Sequence, residues 1–176
     1  MLKMPPAFQM PIADLPAICA ELARTGRYVS VLWQEPETLA FVARGRPYRS
    51  EFHINPSDEV MYMIAGEMRL HYRTSAGTED VSVIPQGSII YTPGGIPHSP
   101  RFPPDAFALI IERKRVAGEI DRFQWYCAGC DDLLHEEPFT VADYALDPVS
   151  KAYARFFDSE AFRTCRGCGE VAPDPR

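Results

Sequence analysis

The sequence predicts a mainly β protein, a small antiparallel barrel or sandwich with a few flanking helices. Three observations point there. Short runs rich in β-branched and aromatic residues recur from Tyr28 to Tyr126, several of them alternating apolar and polar residues. Turn formers separate these runs at short intervals, and 17 prolines suit many turns better than long helices. At 176 residues the chain has the length of one domain, residues 1–176, with room for a full hydrophobic core.

The first element is a helix over Ala13 to Arg24. Asp14 is its N-cap, Leu15, Ile18 and Leu22 fall at helical spacing, and Gly26 stops it. Cys19 on this helix reads as a small buried apolar residue. Tyr28–Trp33 and Thr38–Val42 are short β-rich runs. In the next stretch Arg49, Glu51, His53 and Asn55 share one face of an extended strand, while Ser50, Phe52 and Ile54 share the other. Asn55 to Asp58 forms a turn, so Glu59 opens the following strand close to His53. Met68–Arg73 and Asp80–Ile84 alternate cleanly, with a hairpin at Ser75-Ala76-Gly77 between them. His71 lies with Arg69 and Arg73 on a solvated face. Ser88–Thr92 and Phe107–Glu112 continue the pattern, which places the barrel at about residues 28–126.

The tail, about 127–176, differs. Asp147 and Pro148 read as an N-cap and first helical position. Val149, Ala152, Tyr153, Phe156 and Phe157 then form one apolar helical stripe that packs on the core.

The net charge of −6 argues against a nucleic-acid or membrane-surface partner. The longest apolar run, Ala106 to Ile111, is too short to cross a bilayer, and the N-terminus carries no apolar signal region. A cytoplasmic location is the expectation.

Two motifs carry the chemistry. One is His-x-Asn-x3-Glu-x6-Gly (His53, Asn55, Glu59, Gly66), and the other is Gly-x5-Pro-x-Gly-x2-His (Gly87, Pro93, Gly95, His98). An isolated histidine would read as an ordinary core or surface residue. Together these motifs resemble the two halves of the cupin signature, in which a jelly-roll β-barrel holds one metal ion. The usual signature has a second histidine where this chain has Asn55. The resemblance implies His53, Glu59 and His98 as ligands, and two histidines with one carboxylate suit Fe(II) with open positions.

A separate signature is a pair of Cys-x2-Cys units, Cys127/Cys130 and Cys165/Cys168. Each wraps two thiolates around an ion, and two pairs complete a tetrahedron. Disulfides or free thiols are the alternatives; a reducing cytoplasm disfavours the first, and free thiols would not need this pairing. Four thiolates suit Zn or a rubredoxin-like Fe and leave no place for a substrate. The expected role is structural, pinning the C-terminal helix to the barrel, with nearby His135 unneeded.

Three further runs narrow the resemblance. Arg49-Ser-Glu-Phe-His53 is similar to the Arg-x-Asp-(Tyr/Phe)-His run of 3-hydroxyanthranilate 3,4-dioxygenases. Pro97-His-Ser-Pro-Arg-Phe102 resembles their Pro-His-Ser-Pro-x-Arg-Phe, and Ile111-Glu-Arg-Lys-Arg115 resembles their Val-Glu-Arg-(basic) run. Bacterial members also carry a four-cysteine iron site near the C-terminus. The resemblance covers roughly Val29 to the end. It implies an Fe(II)-dependent dioxygenase that opens 3-hydroxyanthranilate with O2 to 2-amino-3-carboxymuconate semialdehyde, a step of tryptophan catabolism and NAD biosynthesis. It implies Arg49 and Arg101 as substrate-carboxylate ligands, Glu112 on the amino/hydroxyl side, and a homodimer. Three departures stand out. The arginine is preceded by Ala43-Arg-Gly-Arg-Pro-Tyr48 instead of Gly-Gly-Pro-Asn-x. Met63 replaces a glutamine, and Arg101 is one residue nearer to His98. The same chemistry on a related aminophenol or hydroxybenzoate acid, and a non-catalytic metal- or ligand-binding cupin, are the alternatives.

Overall fold

A computed structural model describes residues 9–141, 143–145 and 148–175. Helix α1 (Leu15–Thr25) begins where expected: the Asp14 carboxylate accepts from the Ala17 N–H, and Gly26 closes the helix in the left-handed region. Eleven strands follow among the described residues: β1 (Val29–Glu35), β2 (Thr38–Arg44), β3 (Phe52–Ile54), β4 (Glu59–Ala65), β5 (Glu67–Arg73), β6 (Glu79–Pro85), β7 (Ile89–Thr92), β8 (His98–Arg101), β9 (Phe107–Glu112), β10 (Asp121–Tyr126) and β11 (Leu133–Phe139). Helices α2 (Pro148–Asp158) and α3 (Glu160–Arg163) complete the chain.

The strands form two antiparallel sheets, ordered β1-β2-β9-β4-β7 and β11-β10-β3-β8-β5-β6. From β2 to β5, and again from β6 to β10, each connection carries the chain from one sheet to the other. This is the cupin jelly roll that the motifs implied. Its core lies between the sheets, where Met61, Met63, Met68, Leu70, Ile84, Phe102, Ala108 and Ile110 are buried together.

Strand β9 sits at the centre of the five-stranded sheet, and its N-terminal end is covered on both faces. Ala108 and Ile110 point into the barrel, while Phe107 packs outward with Val42 against Cys19 and Leu22 of α1. Burial on both faces accounts for the unbroken apolar residues at that end, while Ile111, farther along the outer face, is exposed.

The barrel sheet runs past the expected end near residue 126. Strand β11 pairs with β10 along its length, so the segment after Tyr126 is not wholly a helical tail. Pro138 within β11 removes a ladder donor, and the run Leu-Leu-His-Glu-Glu-Pro-Phe lacks alternation; an edge strand tolerates both. The apolar stripe of α2 packs as predicted. Val149, Ala152, Phe156 and Phe157 bury against Phe123 and Trp125 of β10. Asp147, its expected N-cap, lies outside the described residues. No helix among the described residues is long and apolar enough to cross a membrane.

Candidate active site and metal centres

The two cupin half-motifs meet directly. The Gly95 N–H donates to the Asn55 carbonyl at 2.7 Å, and the Gly94 N–H donates to the Asp58 carboxylate at 2.9 Å. Gly94 has no room for a side chain, because a Cβ there would lie 2.8 Å from the Pro56 carbonyl oxygen. This clamp sets β3 beside β8 with His53 opposite His98, and Glu59 reaches across from the facing sheet. One ligand atom from each of the three lies within 4.8 Å of the others.

The donor set fits a divalent metal. The His98 ring is fixed by Nδ1 against the Ile96 carbonyl at 2.9 Å, so Nε2 faces Glu59 at 3.2 Å. The His53 ring is fixed the other way, with Nε2 on the Asp121 carboxylate at 2.8 Å, which leaves Nδ1 to coordinate. A carboxylate behind a metal-binding histidine sets its tautomer and orientation. Burial lowers the His53 pKa and so favours the neutral imidazole that a metal requires. Burial also opposes charge on Glu59 and His98, but each raises the other's tendency to ionise: Glu59 goes down and His98 goes up. A cation bound between them would take the place of that shared proton.

A buried polar network surrounds the trio. Asn55 Nδ2 donates to Glu59 Oε1 at 2.8 Å and to Glu112 Oε2 at 3.1 Å. An amide has two N–H donors, so Asn55, which stands where the cupin signature has a histidine, bridges two carboxylates instead of adding a ligand. Ser57 and Arg115 also donate to Glu112 Oε2, at 3.1 and 2.8 Å. Burial, with Glu59 nearby, pushes the Glu112 carboxyl up to about 7.

The trio opens into a cavity of about 150 Å³. Arg46, Arg49, Glu112 and Arg115 line it with apolar walls from Phe41, Phe102, Ile110, Phe123 and Phe139. Arg49 Nε lies 2.8 Å from the fully buried Glu51, an ion pair whose N–H is not aligned for a hydrogen bond. Glu51 in turn accepts from the Tyr153 hydroxyl, which itself accepts from the Ser50 N–H at 3.0 Å.

Residues 29–157 match the family model for 3-hydroxyanthranilic acid dioxygenase. The chain belongs to this family. A Bacillus thuringiensis protein named 3-hydroxyanthranilate 3,4-dioxygenase is 33% identical over 144 residues, covering 82% of this chain and 80% of that one. A protein of the same name from Shewanella woodyi is 34% identical over 143 residues, 81% and 75% of the two chains. One from Neurospora crassa is 33% identical over 131 residues, 74% and 72%.

Against the 3-hydroxyanthranilic acid dioxygenase pattern, one expected residue is displaced. Arg101 is absent from the cavity lining. It lies on the outer face of its sheet, opposite Arg69, over the Phe52 ring and hydrogen-bonded to Ser99 Oγ at 3.2 Å. The cause is strand parity. The family spacing puts the arginine four residues after the histidine, on the same face. Here the interval is three, so Arg101 turns outward and Phe102 takes the inward position. Met63, which stands for the family glutamine, is fully buried in the core and does not line the cavity either. Arg49 and Glu112 do line it. Asp121, Arg115, Ser57, Glu51 and Tyr153 were not singled out from the sequence. Strand parity had put Glu51 on the face of Arg49 and His53, Tyr153 was read only as part of the apolar stripe, and Arg115 stood in the run Ile111–Arg115; Asp121 and Ser57 carried no hint.

The four cysteines also converge, with their sulfurs within 4.8 Å of one another. Cys127 Sγ is 3.5 Å from Cys168 Sγ, and Cys130 Sγ is 3.4 Å from Cys165 Sγ. These separations are far too long for disulfides. They approach the edge of a tetrahedron with bonds of ~2.3 Å, which is about 3.8 Å. Each Cys-x2-Cys unit makes the same turn, with Asp131 N–H on the Cys127 carbonyl and Gly169 N–H on the Cys165 carbonyl. The two turns interlock, because the Glu170 carboxylate sits over Gly129 and the Asp132 carboxylate over Gly167. Backbone N–H groups of Cys168 and Gly167 outweigh burial and lower the Cys165 thiol to about 7, toward the thiolate a metal needs.

Proposed function

We propose that this chain is an Fe(II)-dependent dioxygenase that opens 3-hydroxyanthranilate with O2 to give 2-amino-3-carboxymuconate semialdehyde. His53, Glu59 and His98 hold the iron. When bound, iron would supply the redox centre through which ground-state O2 reacts with an electron-rich ring. The observation that carries this reading is the placement of that trio beside Arg49 and Glu112 in one cavity of a family member.

The protein groups take distinct roles. Arg49 binds and orients the substrate carboxylate, for which a guanidinium offers two parallel donors. Glu112 has Oε2 committed to Asn55, Ser57 and Arg115, which leaves Oε1 for the substrate's hydroxyl and amino side. With its pKa raised to about 7 it can hold or release a proton there at neutral pH. Phe41, Phe123 and Phe139 keep water from the ring and fix its plane. The cysteine cluster holds a second ion, Zn or Fe, that ties the tail to the barrel.

One observation favours a second substrate reading. With Arg101 turned outward and Phe102 in its place, the cavity suits a related aminophenol acid whose carboxylate is gripped less fully. Anaerobic Fe(II) loading, followed by air and 3-hydroxyanthranilate, tests the first reading through the absorbance of the ring-opened product. Iron-loaded protein that leaves 3-hydroxyanthranilate intact but consumes O2 with another aminophenol acid establishes the second. No O2 consumption with any such acid refutes both.

A further inference from the structure

The polar groups around the metal trio close into a ring, and Arg115 joins its two sides. Its Nε and Nη2 grip the Asp121 carboxylate at 2.7 and 2.9 Å, and that carboxylate holds the His53 ring at 2.8 Å. Its Nη1 donates to Glu112 Oε2 at 2.8 Å and to Ser57 Oγ at 2.9 Å. Asn55 closes the circuit from Glu112 to Glu59. The guanidinium side chain is only 5% exposed, and its backbone N–H donates to the Tyr144 hydroxyl at 2.6 Å.

Stability alone does not account for this arrangement. A desolvated cation between two buried carboxylates is no more stabilising than well-packed apolar groups of the same size. What it contributes is geometry. A planar guanidinium fixes the carboxylate it grips at two points, and a lysine ammonium does not. The plane of Asp121 decides where the His53 ring points, while the third donor of the same fork fixes the Glu112 carboxylate.

We propose that Arg115 is a positioning residue. It aims His53 through Asp121 and sets Glu112 directly, so one guanidinium aligns the metal side and the substrate side of the site together. The inference rests on the reading of His53, Glu59 and His98 as iron ligands.

The test compares Arg115→Lys and Asp121→Asn with the parent chain. Fe(II) affinity is measured anaerobically against a competing chelator. Circular dichroism and the ion content of the cysteine site check folding. The kcat/KM for 3-hydroxyanthranilate is measured against pH at saturating Fe(II). Arg115→Lys keeps the buried charge, and it is expected to fold yet bind Fe(II) at least about tenfold more weakly. Asp121→Asn is expected to show a similar loss of affinity. Only Arg115→Lys also shifts the pH profile, because only it frees Glu112. A folded Arg115→Lys that binds Fe(II) within about twofold of the parent overturns the proposal. An Asp121→Asn protein with parental affinity does the same, and decides the matter if Arg115→Lys fails to fold. A parent that binds Fe(II) but does not cleave 3-hydroxyanthranilate refutes the proposed reaction, while the affinity comparison still decides the role of Arg115. A parent that binds no Fe(II) overturns both.

Discussion

A single residue's interval separates Arg101 from the site. His98 points into the barrel, and each step along β8 reverses the side, so an arginine three residues on must face out. Arg49→Ala is therefore expected to raise KM for 3-hydroxyanthranilate by about tenfold or more, the loss of a charge-assisted pair. Arg101→Ala is expected to leave kcat and KM near parental values; steady-state kinetics of the two variants check both. His53→Ala should abolish Fe(II) binding at the trio and leave the ion at the cysteines, as read by metal analysis of the purified variant. Glu112 gives a pH signature in the metal-free chain. Its folded pKa of about 7 lies above the ordinary carboxylate value of about 4.3. Between those values the folded state holds a proton that the unfolded state has lost, so this group lowers stability as pH rises through that window. Glu112→Gln removes the titration. Its Tm relative to the parent should rise from pH 5 to pH 8, and a constant difference would refute the raised pKa.

At the scale of elements, patterning was legible where one face is buried and the other is wet. The alternation in β5 and the stripe on α2 follow from a period matched to one buried side, whereas β6 alternates with Val81 and Val83 exposed and only Ile84 buried. Edge strand β11 escaped that reasoning, since it has neither period nor β-rich composition and forms because β10 offers it a ladder. The parity argument placed Arg49, Glu51 and His53 on one side, although only Phe52–Ile54 is regular strand. The stripe on α2 carries weight. Phe156 is buried and stacks on Trp125 with ring centroids 4.4 Å apart. Phe156→Ala is expected to destabilise the fold by about 3–5 kcal/mol, measured by denaturant unfolding with the cysteine ion in place.

Across the whole molecule, the cysteine site and the cavity are joined through α2. The Cys165/Cys168 turn directly follows α3, α3 follows α2, and Tyr153 of α2 holds Glu51, the partner of Arg49. Cys165→Ser, or removal of the tail ion by a chelator, is expected to lower Tm and to raise KM more than it lowers kcat, since the disturbance reaches Arg49 before it reaches the metal trio. Thermal melts and kinetics of the iron-loaded variant measure both effects.

Residue types and their spacing were enough to read the β class, the two clusters of candidate metal-binding side chains, and the resemblance that pointed to the family. Each of these rests on residue type at short spacing, which local backbone geometry converts directly into position. Tertiary structure alone decided the rest. Asp121 and Arg115 reach the site from segments 68 and 62 residues beyond His53, and Tyr153 meets Glu51 from 102 residues away. Nothing in a local pattern encodes such meetings; they arise when two sheets close and a helix packs over their end. The outward turn of Arg101 belongs to both levels. Its interval from His98 is written in the chain, but the meaning of that interval depends on which face of β8 the folded barrel encloses.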